Sequence, residues 1–250
     1  MKTETVAIRA CTTLEEYERC VELQRLVWGF AEVELVPKDV VVVAASTGGH
    51  LFGAFEGDKM VGFLMAFAGF RDGRPYLHSH MLAVLPDYRD SGVGRRLKLR
   101  QRQEALGRGL ELVEWTFDPL ELKNAYFNIE RLGVVVRRYI RNKYGRTSSP
   151  LHGGLPTDRL VAEWWVRTPR VEAVVGGRTM AHSPNPVRIA VPAAIAELKR
   201  TDRVAAEKAQ TQVREQFEKW FSQGYAVTGF ERDAQGGSYL LEPTPAEIPG

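Results

Sequence analysis

Apolar and polar residues succeed one another along this chain in patterns that read as strand and helix by turns. Residues 5–10 alternate as a half-buried strand does. Thr13 and Glu16 form a capping-box pair, and Leu14, Tyr17, Cys20, Val21, Val27 and Trp28 supply the apolar stripe of a helix that Gly29 ends. Residues 30–38 are irregular, and 39–45, with its four valines, suits a short helix or a strand equally. Apolar runs at 50–55 and 60–70, joined by Glu56-Gly57-Asp58-Lys59, predict a hairpin. A turn at 71–75 leads into a strand at 76–85. A helix over 95–106, closed by Gly107 or Gly109, and a strand at 110–117 before Asp118-Pro119 come next. Then follow a helix over 122–132 stopped by Gly133, a basic strand at 134–144, a loop at 146–156 and a strand at 160–166. Beyond these, 188–191 reads as a strand, and Pro192 and Asp202 are helix-start signals. Val213, Phe217, Trp220 and Phe221 mark one face of a long amphipathic helix ended by Gly224. Residues 225–231 and 238–242, separated by 233–237, predict a second hairpin. There is no internal repeat and no low-complexity segment.

Composition narrows the class without naming it. The 250 residues, 44% hydrophobic and 26% charged, suit a globular protein of one large domain or a domain with an appendage. The net charge of +3 and a pI near 8.9 permit an anionic ligand but do not argue for nucleic acid, for which interleaved aromatics and a docking motif are lacking. Cys11 and Cys20 make no C-x-x-C pair and no disulfide framework, which points to a reducing compartment. Residues 1–5 hold no apolar signal core, and the longest apolar runs, 40–45 and 62–70, are too short to cross a bilayer. The expectation is a cytoplasmic protein with neither membrane nor nucleic-acid partner, and with no metal.

The chemistry concentrates in 78–97. An apolar strand there gives way to a Pro86-Asp87 turn, a loop bearing Gly92 and Gly94, and the first turn of a basic helix. A helix that opens at such a loop leaves its first N–H groups without intrahelical partners, and its positive dipole end faces the loop. The combination favours an anion. Gly92 and Gly94 let the backbone approach that anion, and Arg89, Arg95 and Arg96 add forked cationic donors suited to phosphate. The plainer reading is a tight strand-to-helix turn with solvated arginines.

The run Leu82-x-Val84-x-Pro86-x-Tyr88-Arg89-x-x-Gly92-x-Gly94 resembles the acetyl-CoA-binding motif of the GNAT (Gcn5-related N-acetyltransferase) superfamily, Arg/Gln-x-x-Gly-x-Gly/Ala. The resemblance implies an α+β fold, a mixed and mostly antiparallel sheet flanked by helices, over residues 1–168. Residues 169–250 then form a C-terminal α/β extension, packed on the first domain or at a homodimer interface. The set 78–80, 89–94, 115–119 and 124–133 also resembles a branch of predicted bacterial GNAT proteins with such an extension, which brings no known substrate.

The implied activity is transfer of an acetyl or other short acyl group from acetyl-CoA, as co-substrate, to a small-molecule or peptide amine. On this reading Leu82, Ala83 and Val84 lie beside the thioester and pantetheine, where a strand bulge frees a backbone donor. Arg89, Asp90, Ser91, Gly92, Val93, Gly94 and Arg95 hold the phosphates. His78 falls at the family's base position and His80 shares its face; a histidine near its ordinary pKa of ~6.5 can take a proton at neutral pH. The family helix Asn-x-x-Ala-x-x-x-Tyr-x-x-x-Gly-Phe aligns on Ala125 and Gly133, which puts Ile129 where the proton-donating tyrosine stands. Asn124 and Asn128, four apart, are candidates to bond pantetheine instead. Trp28, Glu32 and Glu34 are candidate acceptor contacts, or surface residues, and Asp118 either binds a cationic amine or caps the next helix. The competing reading is a non-catalytic acyl-CoA-binding or regulatory protein.

Overall fold

The computed structural model describes residues 6–145, 147 and 153–249. Residues 1–5, read above for a signal core, and 146 and 148–152 of the expected loop lie outside the described residues. Ten strands and seven α-helices occur among the described residues, in a mixed, mostly antiparallel arrangement. They divide into two compact units, one ending at Glu114 and the other beginning at Trp115.

The first unit opens with β1 (Val6–Ala10), α1 (Leu14–Trp28) and α2 (Lys38–Ser46). It continues with β2 (His50–Glu56), β3 (Lys59–Arg71), β4 (Arg74–Val84) and α3 (Val93–Gly107), and takes in the start of β5 (Leu112–Phe117). Helix α1 begins where Thr13 and Glu16 make the reciprocal capping-box bonds, and Gly29 ends it in the left-handed conformation. The valine-rich 39–45 is helical. Val41 and Ala44 are buried while Val40 and Val43 are exposed, so packing of a helical face outweighs the strand preference of β-branched residues. Strands β1-β2-β3-β4 form an antiparallel sheet.

Because side chains alternate across a strand, this sheet carries two cores. Met60, Phe63, Met65, Met81 and Ala83 pack with Cys20, Leu23, Val41 and Ala44 of α1 and α2. Phe52, Ala54, Val61 and Leu64 pack with Val93 and Leu97 of α3, joined by Leu82 and Val84. One irregularity interrupts the β3–β4 ladder. Met65 pairs with Met81 and Ala66 with Ser79, so His80 is an extra residue, a bulge.

The second unit contains α4 (Leu122–Tyr126), β6 (Val135–Ile140), β7 (Arg159–Trp165), α5 (Pro169–Val175) and β8 (Val187–Pro192). After them come α6 (Ile195–Thr201), α7 (Arg203–Phe221), β9 (Tyr225–Asp233) and β10 (Gly236–Pro243). Its strands run in the order β7-β6-β9-β10-β8. The expected single helix over 122–132 is instead α4 followed by a π-helical turn at Phe127–Arg131, ended by Gly133 at φ +77°. Helix α5 was not anticipated, although Thr168 caps it and Pro169 opens it. Helix α7 starts at its Asp202 cap and packs on β6, β8 and β9. Val213 and Phe217 are buried there; Phe217 stacks on Tyr139 at 5.8 Å and meets Tyr239 edge-on at 5.0 Å.

Candidate active site

Strand β4 and the loop after it bring most of the candidate residues into the first unit. The parallel ladder from β4 to β5 holds at Leu77↔Val113 and His78↔Glu114. Past that rung comes the bulge at His80, then Leu82, Ala83 and Val84. The His78 and His80 rings lie 5.9 Å apart, and His80 lies 5.4 Å from Phe67. Both histidines are half-buried on the face that carries α1 and α2, as their spacing predicts. Ser79 points the other way and accepts a bond from Lys98 of α3.

The strand-to-helix turn lies where the glycines predict it, but the helix starts at Val93, one residue after Gly92 and two before the expected Arg95. A 3-10 turn at Pro86–Tyr88 ends β4, Tyr88 is buried, and its carbonyl accepts a bond from Ser91 Oγ at 2.5 Å. Arg89 Nε reaches back to the Val84 carbonyl at 3.2 Å, which fixes the loop against the strand. Asp90 and Gly92 take positive φ, +57° and +87°, and Gly92 is the N-cap of α3. That conformation favours glycine. Gly94 sits in the first helical turn, where an added methyl would lie 3.9 Å from the Leu82 and Val84 side chains. The cradle and the strand after the bulge are therefore adjacent. Val93 anchors the helix from the core. Arg96, counted above among the phosphate donors, bonds the Val6 carbonyl at 2.6 Å.

Two polar groups that the sequence reading passed over line the same strand. Glu114, the register partner of His78, is 6% exposed and takes a forked bond from Arg71, at 3.2 and 3.0 Å. The Arg71 guanidinium also lies over Tyr76. Lys98 is 2% exposed, and burial pushes its amine well below the ordinary lysine range. The signal was present for Lys98. With Gly94, Gln101 and Ala105 it falls on the inner face of α3 by helical spacing, although its charge suggests the surface. Nothing in the sequence pairs Arg71 with Glu114, because that pairing depends on register.

The acceptor-side candidates are placed as follows. Trp28 is half-buried, stacked on Phe30 at 5.5 Å and edge-on to Phe63. Glu32 is exposed and takes a forked bond from Arg25, at 2.8 and 2.9 Å. Glu34 closes the same 3-10 turn. The remaining candidates belong to the second unit. Asp118 does hold an ammonium, but the chain's own, Lys199 Nζ at 2.9 Å, while its other oxygen accepts from Leu120 N–H. Asn124 is exposed, whereas Asn128 is buried and accepts from Trp115 Nε1 at 3.3 Å. The π-helical turn separates the two environments. Ile129, at the tyrosine position, is fully buried. Among the described residues no cluster of His, Cys, Asp and Glu could hold a metal ion, and no helix is long and apolar enough to cross a membrane.

Comparison with known proteins agrees with this geometry. Residues 13–133 match the family model described as the acetyltransferase (GNAT) family. Arabidopsis thaliana NAA60, solved with a bisubstrate analogue, aligns at TM-score 0.53 and 13% identity, covering 64% of this chain and 98% of its own. The ribosomal-protein-S18-alanine N-acetyltransferase of Escherichia coli aligns at 0.52 and 16%, covering 73% of this chain and 99% of its own. Arabidopsis thaliana Naa50, solved with the analogue CoA-Ac-MVNAL, aligns at 0.51 and 16%, covering 64% and 97%. At such identities the likeness is one of fold. A search of curated proteins gives no match.

Proposed function

Residues 13–133 belong to the GNAT acetyltransferase family, and from that premise we propose that the chain is an N-acyltransferase, moving an acetyl or other short acyl group from acyl-CoA to an amine. One observation carries the reading. A single strand, β4, pairs with β5 at Leu77 and His78, bulges at His80, and runs directly into a glycine-capped helix start. Acyl-CoA supplies the activated thioester. The first N–H groups of α3 and the loop 89–95 receive its phosphates, helped by the helix dipole. Backbone donors of 82–84 lie beside the thioester carbonyl and favour the charge that develops there. His78 or His80 takes the proton from the acceptor amine, a small molecule or a peptide. Ile129 has no proton to give, so the thiolate leaves to solvent.

Calorimetry with coenzyme A tests the cradle. Gly94→Glu puts a carboxylate where phosphate belongs and should weaken binding at least tenfold; unchanged affinity would overturn the assignment. Coenzyme A release across a panel of small and peptide amines tests the chemistry. Ile129 motivates a second reading, an acyl-CoA-binding protein without turnover. Tight binding with no release from any amine would favour it.

A further inference from the structure

We infer that Lys98 is a positioning residue, which pins the bulge of β4 to the helix that carries the phosphate cradle. The inference rests on the acyl-CoA reading above. Lys98 Nζ lies 2.8 Å from Ser79 Oγ and 3.2 Å from Gln101 Oε1, within a side chain 2% exposed. Lysine is among the residues least often buried to this degree, because its amine must leave water. A methionine would fill the same space in the core between α3 and the sheet. The amine therefore has work beyond packing, and its partner shows where.

Ser79 immediately precedes the bulge residue. A bulge is one extra residue that strand pairing alone holds loosely in place, and moving it by one position turns the intervening side chains to the opposite face. Ser79 faces α3, whereas His78 and His80 face α1 and α2. Were the bulge to move to residue 79, Ser79 would turn away from Lys98. The Lys98–Ser79 bond thus selects the register that keeps both histidines on one face. Lys98 lies four residues along α3 from Gly94, a rise of about 6 Å. The same helix that receives the phosphates thereby sets the place of the strand beside the thioester. Gln101, one turn further on, orients the amine from behind.

Lys98→Met keeps the volume and removes the bond. Turnover should fall at least tenfold, while KM for acyl-CoA and calorimetric affinity for coenzyme A stay within threefold. Amide hydrogen exchange at 79–82 should rise at least tenfold relative to the rest of β3 and β4. Ser79→Ala should move the same readouts in the same direction, and stands in if Lys98→Met does not fold. A lowered melting temperature with unchanged turnover and unchanged exchange at 79–82 would reduce Lys98 to a packing residue and overturn the inference. Affinity and kcat/KM falling together would assign it to the cradle instead, which also overturns it. If the wild-type chain binds no coenzyme A, the acyl-CoA reading fails on that result, and the exchange at 79–82 still decides whether Lys98 pins the bulge.

Discussion

Two kinds of histidine occur in the first unit, and they predict different experiments. His50 is 1% exposed and neither ring nitrogen has a partner, with the Phe52 ring 5.3 Å away. Burial pushes its pKa down from 6.5 to about 4; Arg108 and Arg100 add to the shift and Glu104 opposes it. Between those values the unfolded chain binds a proton that the folded one refuses, so stability falls as pH drops from 6.5 toward 4. The loss should reach about 3 kcal/mol at the lower end. Urea titrations at pH 7 and pH 4.5 should show a steeper acid loss for the wild type than for His50→Leu, and equal losses would refute the account. His78 and His80 are half-buried and face each other. Replacing the proton acceptor by alanine should cost about 10²–10⁴ in kcat. The variant concerned should also lose the acid limb of its pH–rate profile. If both single variants keep full activity and the same profile, neither histidine is the base.

At the scale of elements, α7 makes the sharpest prediction. Phe217 is fully buried among Tyr139, Phe221 and Tyr239, so Phe217→Ala should destabilise the protein by about 3–5 kcal/mol. Val204, 79% exposed on the same helix, should tolerate alanine within about 0.5 kcal/mol. Denaturant midpoints of the two variants measure the contrast. The Val213–Phe217 part of the α7 face was legible from its spacing, while Trp220 and Phe221 are only half-buried and Ala206 and Gln210 complete the buried face. The Thr13–Glu16 cap, the hairpin at 56–59 and the helix start near Gly92 were legible too, because each depends on neighbours in sequence. The helical 39–45 was not, since its valines satisfy two periods and only the burial of Val41 and Ala44 decides between them. The bulge at His80 was not located either. It is a property of the pairing between β3 and β4, and the alternation of β4 reads the same with or without it. The π-helical turn escaped for a similar reason, so Asn124 and Asn128 looked like one face and are not. Asp118 looked ready to hold an amine, and its partner Lys199 lies 81 residues away.

For the whole molecule, the question is whether the part of the chain after Pro169 can be removed. Strand β9 pairs with β6 at Val136↔Val227, and Val135 is buried in one cluster with Ala226 and Ile248, against Trp165. Arg170 bonds the carbonyls of Gly133 and Thr228, and Glu130 accepts from Phe230 N–H. Except for the Arg170–Thr228 bond, which lies wholly beyond the cut, these contacts join residues on its two sides. Cutting there would leave an unpaired edge on β6 and bare the apolar surface that α7 covers, including Tyr139. Burial of each large side chain contributes roughly 1.5–3 kcal/mol, against a total stability of about 5–15 kcal/mol for a typical protein. An open strand edge beside exposed apolar residues also invites association between chains. A fragment ending at Pro169 should therefore aggregate or lose its cooperative melt, while the full chain remains soluble. Size-exclusion chromatography and thermal denaturation of the two would decide it. A monodisperse fragment with the melting temperature and coenzyme A affinity of the full chain would show that the part of the chain after Pro169 is dispensable.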